Sequence, residues 1–244
     1  MQGDGWFMNK GTSRTLLPSL NEYEQELTTK LGLGLADRLT GPIISIGGFA
    51  GVGKDTLAIG LREKLADQYG LDLNIYNAGD FIRQYAVKKG YKEQHLDEFL
   101  QAIREDENFA REVDFFVDRR TLELGLEKQQ GIFIGRMAPF ALGSWGVSIF
   151  IFVRPKERAR RVVQDPERKE YGMMVDEVLE RMERRDLNDR LRLRKIYNIH
   201  FNSLIDHLDI QIDNSKNTIV ETVDSAFEQF QTISKERFTN FPPH

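Results

Sequence analysis

Lys54 closes a glycine-rich run, Gly48-Phe49-Ala50-Gly51-Val52-Gly53-Lys54-Asp55-Thr56. Glycines at this spacing let the backbone wrap an anion with its N–H groups turned inward. A helix opening at the run adds partial positive charge, and Lys54 adds a full one. The flanks fit such a turn. Before it stands the apolar run Ile43-Ile44-Ser45-Ile46, bounded by Pro42 and Gly47, which reads as a buried strand. After it, Thr56–Ala66 is apolar at helical spacing. A G-x-x-x-x-G-K-D-T pattern between strand and helix is a P-loop, and the chemistry is a grip on nucleotide phosphates. The expected binders are Gly48, Ala50, Gly51, Val52, Gly53, Lys54, Asp55 and Thr56. An ordinary glycine-rich turn would instead leave Lys54 as a surface lysine.

Asp55 departs from the usual motif, which has a hydroxyl there for Mg²⁺. A carboxylate can meet that metal directly or through water, because Mg²⁺ favours oxygen ligands. Thr56 supplies a hydroxyl one position later, so Asp55 and Thr56 are the candidate metal ligands.

Three more stretches carry charge at useful places. Ala78-Gly79-Asp80-Phe81-Ile82-Arg83 is a glycine turn with an acid, then an arginine on the next helical turn. Asp80 is either a helix cap or a ligand to substrate. Gly135-Arg136 ends an apolar strand, where a charge seeks a partner. Arg185, Asp189 and Arg192 stand at spacings of four and three and share one helix face. Two guanidiniums flanking a carboxylate can bind a phosphate and a polar base, since the guanidinium fork matches phosphate oxygens. The same spacing also describes a solvated ion-pair ladder. The four histidines, His95, His200, His207 and His244, form no metal-ligand spacing.

The elements that must position these residues alternate. Expected strands are Ile43–Ile46, Leu71–Tyr76, Ile132–Ile134, Val147–Val153 and Leu208–Asp213. Helical periodicity falls between them, at Phe81–Ala86, at about 95–103 and 107–128, from Pro155 to Gln164, at about 175–197 and at about 217–233. Asp165–Met174 reads as a mobile linker. Strands separated by helices indicate an α/β fold with a mainly parallel sheet. Ligands bind such sheets at the strands' carboxyl ends, where the P-loop, Asp80, Arg83 and Arg136 all lie. Residues 1–40 form an N-terminal helical appendage, in which residues 1–15 read as loose and Trp6 and Phe7 are isolated. Residues 41–244 form the main domain.

Bulk properties narrow the function. The chain has 244 residues, is 40% hydrophobic and 30% charged, and carries a net charge of −4. That balance gives no reason to expect a nucleic-acid partner. The absence of cysteine excludes disulfides, thiolate metal sites and cysteine nucleophiles, and fits a cytoplasmic location. No apolar run approaches the roughly 20 residues of a membrane span.

Taken in order, the P-loop Gly48–Thr56, Ala78–Arg83, Gly135-Arg136, Arg185–Tyr197 and the last strand Asp209–Asp213 resemble the cytidylate kinases, within the nucleoside monophosphate kinases. The likeness is closer to the compact archaeal-type branch and covers about residues 43–233. It implies a P-loop kinase three-layer sandwich, with a five-stranded mainly parallel sheet, helices on both faces and a helical lid at about 155–175. It implies transfer of the ATP γ-phosphate to CMP or dCMP, with Mg²⁺. Arg83 and Arg136 then hold the acceptor phosphate, while Arg185, Asp189 and Arg192 contact the acceptor nucleotide. The catalytic set is Lys54, Arg136 and Arg185. The chain departs from the family at Ile134, where the branch usually has glutamate. It departs again at Tyr197-Asn198-Ile199-His200, where the branch reads Tyr-Gly-Ile-Asp. Its Lys54-Asp55-Thr56 run also resembles some deoxynucleoside monophosphate kinases of phages.

Two other classes fit the P-loop. One is another small-molecule kinase, for a deoxynucleotide or dephospho-coenzyme A. The other is a non-catalytic ATP-binding regulator. A GTPase would need an Asn-Lys-x-Asp base motif, and a transporter ATPase a serine-glycine-glycine signature; the chain has neither.

Overall fold

A computed structural model of the chain describes residues 13–198 and 200–242. The start of the chain with Trp6 and Phe7, Ile199 and His244 lie outside the described residues. Five strands form one sheet: β1 (Ile43–Gly47), β2 (Ile75–Asn77), β3 (Gly131–Ile134), β4 (Val147–Phe152) and β5 (Ile210–Asp213), in the order β2-β3-β1-β4-β5. All four pairings are parallel. The helices are α1 (Asn21–Leu31), α2 (Lys54–Tyr69), α3 (Ala78–Lys88), α4 (Leu96–Glu105), α5 (Glu107–Lys128), α6 (Ala138–Leu142), α7 (Pro155–Gln164), α8 (Val175–Tyr197), α9 (Phe201–Ile205) and α10 (Ile219–Arg237).

β1 is central and buried at every position. That explains its near-continuous run of branched apolar residues, since a parallel strand is covered on both faces. In one layer α2 packs with α10, where Gly60 leaves room for Val223. In the other α5 packs with α6, and Gly125 leaves room for Leu142. The chain crosses from one side of β1 to the other between β3 and β4, so the crevice for a ligand opens at the carboxyl end of β1.

The strand at 71–76 is corrected to Ile75–Asn77. Its alternation is real, but ladder pairing starts only where Ile132 N–H donates to Asn74 O at 2.9 Å. The last strand starts at Ile210, because the Asp209 carboxylate is taken by Ser148 and Arg237. The closing helix runs to Arg237 and opens on a capping box between Thr218 and Glu221. Asp165–Met174 is a series of turns pinned by Gly172 N–H on Val163 O at 2.9 Å.

Residues 13–40 are built into the main core rather than hung from it. Leu17, Leu20 and Leu27 belong to the large buried cluster. The buried Glu24 carboxylate accepts from Arg14 N, Thr15 N and Trp145 Nε1, which ties α1 to the turn before β4. In contrast, α7 and α8 share a second cluster of their own, around Ala159, Val162 and Val178. The C-terminal end of α8 is different: Leu193, Ile196 and Tyr197 are buried in the main core. Among the described residues no helix is long and apolar enough to cross a membrane.

Candidate functional site

The P-loop joins β1 to α2. Gly48 has φ 147°, and a Cβ there would lie 2.6 Å from Ile151 O. Gly53 has φ 94° and forms the N-cap of α2. Both positions demand glycine. Lys54 is the first residue of α2, so the first-turn N–H groups of Lys54, Asp55 and Thr56 have no helical carbonyl to bond. Lys54 Nζ donates to Phe49 O at 2.8 Å across the loop. Burial pulls the Lys54 pKa down to about 8. Asp55 opposes the shift, and Arg136, Arg168 and Arg185 add to it. The hollow of the loop therefore lies in the positive field of Lys54 and three arginines.

A cavity of about 770 Å³ opens from that hollow. Gly51, Gly53, Lys54 and Thr56 form its floor, Arg161 and Arg168 one wall, and Asn217, Thr218 and Ile219 the other. Asn214, just past β5, locks the two sides together. Its Nδ2 donates to Val52 O at 3.3 Å, its Oδ1 accepts from Thr222 at 2.7 Å, and its carbonyl accepts from Arg161 at 2.7 Å.

Beside the loop, three of the four expected residues meet. Arg136, past β3, pairs with Asp189 of α8 at 2.6 Å. Arg192 lies 3.6 Å from Asp189 and 3.2 Å from Asp114 of α5. Arg185 is the outlier: its side chain is 64% exposed and 4.0 Å from Asp189. Asp189 thus pairs across elements, which a solvated ladder would not require. Burial lowers the Arg136 pKa, opposed by Asp189, and burial raises that of Asp114, opposed by Arg192.

Arg83 is not joined to this cluster by an ion pair. It pairs with Asp80, three residues earlier, and both are exposed. Its guanidinium folds back over Gly79, beside Asn77. Asp80 does not cap a helix at Phe81. The helix starts at Ala78, because Asn77 caps it by accepting from Gly79 N–H at 2.9 Å. The Asn77 side-chain Nδ2 donates to Asp55 Oδ1 at 3.0 Å. One oxygen of Asp55 is therefore fixed by Asn77, and Thr56 is exposed at the loop's mouth. Among the described residues no group of three or more acids or histidines could hold a metal by itself. Asp55 and Thr56 fit an ion that takes most of its ligands from phosphate and water, as Mg²⁺ does.

Behind the cluster, the Tyr197 hydroxyl donates to Asp118, and Asp118 is 3% exposed. Burial drives the Asp118 pKa from 3.8 to about 8, against the pull of Tyr197. The folded chain keeps this proton where the unfolded chain releases it. The stability it confers is present below about pH 4 and is lost as pH rises to about 8. Asp118→Asn keeps the acceptor for Tyr197 and removes the titration. It should raise stability at pH 8 by an amount on the order of a few kcal/mol, and flatten the slope between pH 5 and 8. Urea unfolding at several pH values checks this; an unchanged slope would contradict it.

Several members of the site are not marked by spacing. Arg158, on α7, is buried and pairs with Asp186 at 2.5 Å, its stem against Gly51. Arg161, Arg168, Asn77 and Asn214 are the others. Asn77 and Asn214 each stand at a strand's carboxyl end, and that placement was the signal available.

No family model matches the chain. The cytidylate kinase of Pyrococcus horikoshii is 31% identical over 174 residues, covering 71% of this chain and 80% of that protein. The cytidylate kinase of Methanococcus maripaludis is 29% identical over 198 residues, covering 78% and 99%. Among solved structures, an uncharacterized protein from Eubacterium ventriosum superposes with a TM-score of 0.53 at 18% identity, over 78% of this chain and 99% of that one. Shikimate kinase from Bacteroides thetaiotaomicron superposes with a TM-score of 0.50 at 16% identity, over 80% and 98%. These two likenesses concern the fold. With the P-loop geometry and the Pyrococcus relative together, the chain belongs to the cytidylate kinase family and is a P-loop phosphotransferase.

Proposed function

We propose that the protein transfers the γ-phosphate of ATP to CMP or dCMP. One observation carries this reading: the Lys54 ammonium bonds the Phe49 carbonyl while Arg136, of the Arg136–Asp189–Arg192 cluster, lies over the Phe49 ring, so a donor and an acceptor can be held beside one loop. ATP occupies the 770 Å³ cavity, its phosphates on the P-loop amides and Lys54, its base against Thr218 and Ile219. The acceptor phosphate lies between Arg83 and Arg136. Asp189 and Arg192 receive the nucleoside, and Arg185 closes on the transferring group from α8. The Asp55 carboxylate and the Thr56 hydroxyl would hold Mg²⁺, which would supply positive charge against the triphosphate when bound.

Phosphoryl transfer asks the protein for in-line placement and positive charge rather than covalent chemistry. It also asks that water be kept out, or ATP is merely hydrolysed. Residues 155–175 supply that exclusion as a lid. The cluster shared by α7 and the N-terminal half of α8 supports movement hinged before Leu193, Ile196 and Tyr197, which are anchored in the main core, and Arg158, Arg161 and Arg168 would travel with it. The main domain is 41–244, and residues 13–40 brace it.

The test is ADP formation over a panel of nucleoside and deoxynucleoside monophosphates, with shikimate and dephospho-coenzyme A as outside acceptors. CMP and dCMP should give the highest kcat/KM; equal rates without them would reject the assignment. Within this scheme Arg83→Ala raises the acceptor KM about tenfold or more and leaves the ATP KM nearly unchanged. A loss confined to ATP binding would overturn the two-sided division.

A further inference from the structure

Phe49, the second residue of the P-loop, gathers more charge than its type suggests. Three guanidiniums from three elements lie over its ring: Arg136 past β3 at 5.9 Å, Arg158 of α7 at 5.9 Å and Arg190 of α8 at 5.0 Å from the centroid. Its carbonyl also holds Lys54 Nζ. The ring is fixed from beneath. It packs on Phe201 at 5.4 Å, and Phe201 packs on Phe140 and Phe150 at 5.5 and 5.8 Å. Phe49 is 8% exposed, so this aromatic column is part of the core and ends at the site.

Three cations this close repel one another unless something negative lies between them. Asp189 and Asp186 each pair with one of them, Arg136 and Arg158. Yet Nε of both Arg136 and Arg158 is buried without a hydrogen-bond partner among the described residues. The negative face of an aromatic ring is the remaining attractive surface, and arginine is the cation that most often uses it.

We infer that Phe49 is a positioning residue for phosphoryl transfer: its ring is the platform on which one strand-end arginine and two arginines of the α7–α8 hairpin assemble beside the phosphate cradle. The ring sets the distance of these guanidiniums from the reacting phosphate and gives the hairpin a docking point. This deepens the kinase reading and rests on it for the catalytic consequence, while the platform itself rests on geometry alone.

The experiment compares Phe49→Leu and Phe49→Met, which stay apolar but lose the ring face, with Phe49→Tyr, which keeps it. In the leucine and methionine variants kcat should fall on the order of 10²-fold, as for displaced catalytic groups generally, with the ATP KM within about threefold. Affinity for a bisubstrate of two nucleosides joined by five phosphates should fall with kcat. Phe49→Tyr should stay within about threefold of wild type. Adding Arg190→Gln to Phe49→Leu should cost nothing further. Wild-type kcat in Phe49→Leu, or equal losses in the leucine and tyrosine variants, would overturn the inference. Arginine Nε–H proton shifts give a readout free of activity. Ring-shifted signals present in the wild type and absent in Phe49→Met support the platform, and their absence from the wild type rejects it. A wild type that phosphorylates no acceptor but shows those shifts would sink the kinase reading alone.

Discussion

Lys54→Ala should reduce phosphoryl transfer by at least about 10²–10³-fold, the loss typical of removing one preorganised charge from a water-poor site. The argument is local. Lys54 sits at the first position of α2, half-covered, with its ammonium bonded among the described residues to the Phe49 carbonyl alone. Nothing in the loop replaces it, because the other nearby cations, Arg136, Arg168 and Arg185, reach in from separate elements. The fold should not suffer. Lys54 makes no carboxylate ion pair among the described residues, and its charge is held against desolvation, so deleting it leaves no orphaned partner. Steady-state kinetics with thermal unfolding checks both halves. A variant that is active, or inactive only because it is unfolded, would contradict the role.

Arg136 carries the second large expectation, and here activity and stability should separate. Arg136→Lys keeps the charge and loses the planar fork. It should lower kcat with the acceptor about 10²-fold while the chain stays folded. Arg136→Ala should lose as much activity and also about 1–3 kcal/mol of stability, because Asp189 is only 13% exposed and would keep only the more distant Arg192 and Arg185. Removing both partners, as Arg136→Leu with Asp189→Leu, should return much of the stability and none of the activity. If the alanine and double variants unfold alike, the pair is not what balances that charge.

What could be read in the sequence was what is local. Gly48–Thr56 carries its own geometry, since positive φ at Gly48 and Gly53 and a lysine at the helix start are matters of a few residues. The long helices at 107–128 and 175–197 were visible because their apolar positions repeat over many turns. Arg136 was visible because a charge closing an apolar strand needs a reason. What depends on residues far apart was hidden. Asn77 looked like part of a turn, and its cap on α3 moved the helix start three residues ahead of Phe81. Glu24 carries no local mark of burial, because the groups that enclose it are Trp145 and the Arg14–Thr15 backbone. α6 is five residues long, buried at every one, and so shows no period to detect. Phe49 carries no local mark of a role, because its three arginines stand roughly 90 to 140 residues further along.

The central claim is that one loop hands a phosphoryl group from a nucleoside triphosphate to a nucleoside monophosphate. The direct measurement is transfer of label from γ-labelled ATP, with CMP present and absent. The account predicts that label appears in CDP, depends on CMP, and disappears in Lys54→Ala. Label appearing only as inorganic phosphate, or remaining in ATP with every monophosphate offered, would contradict it.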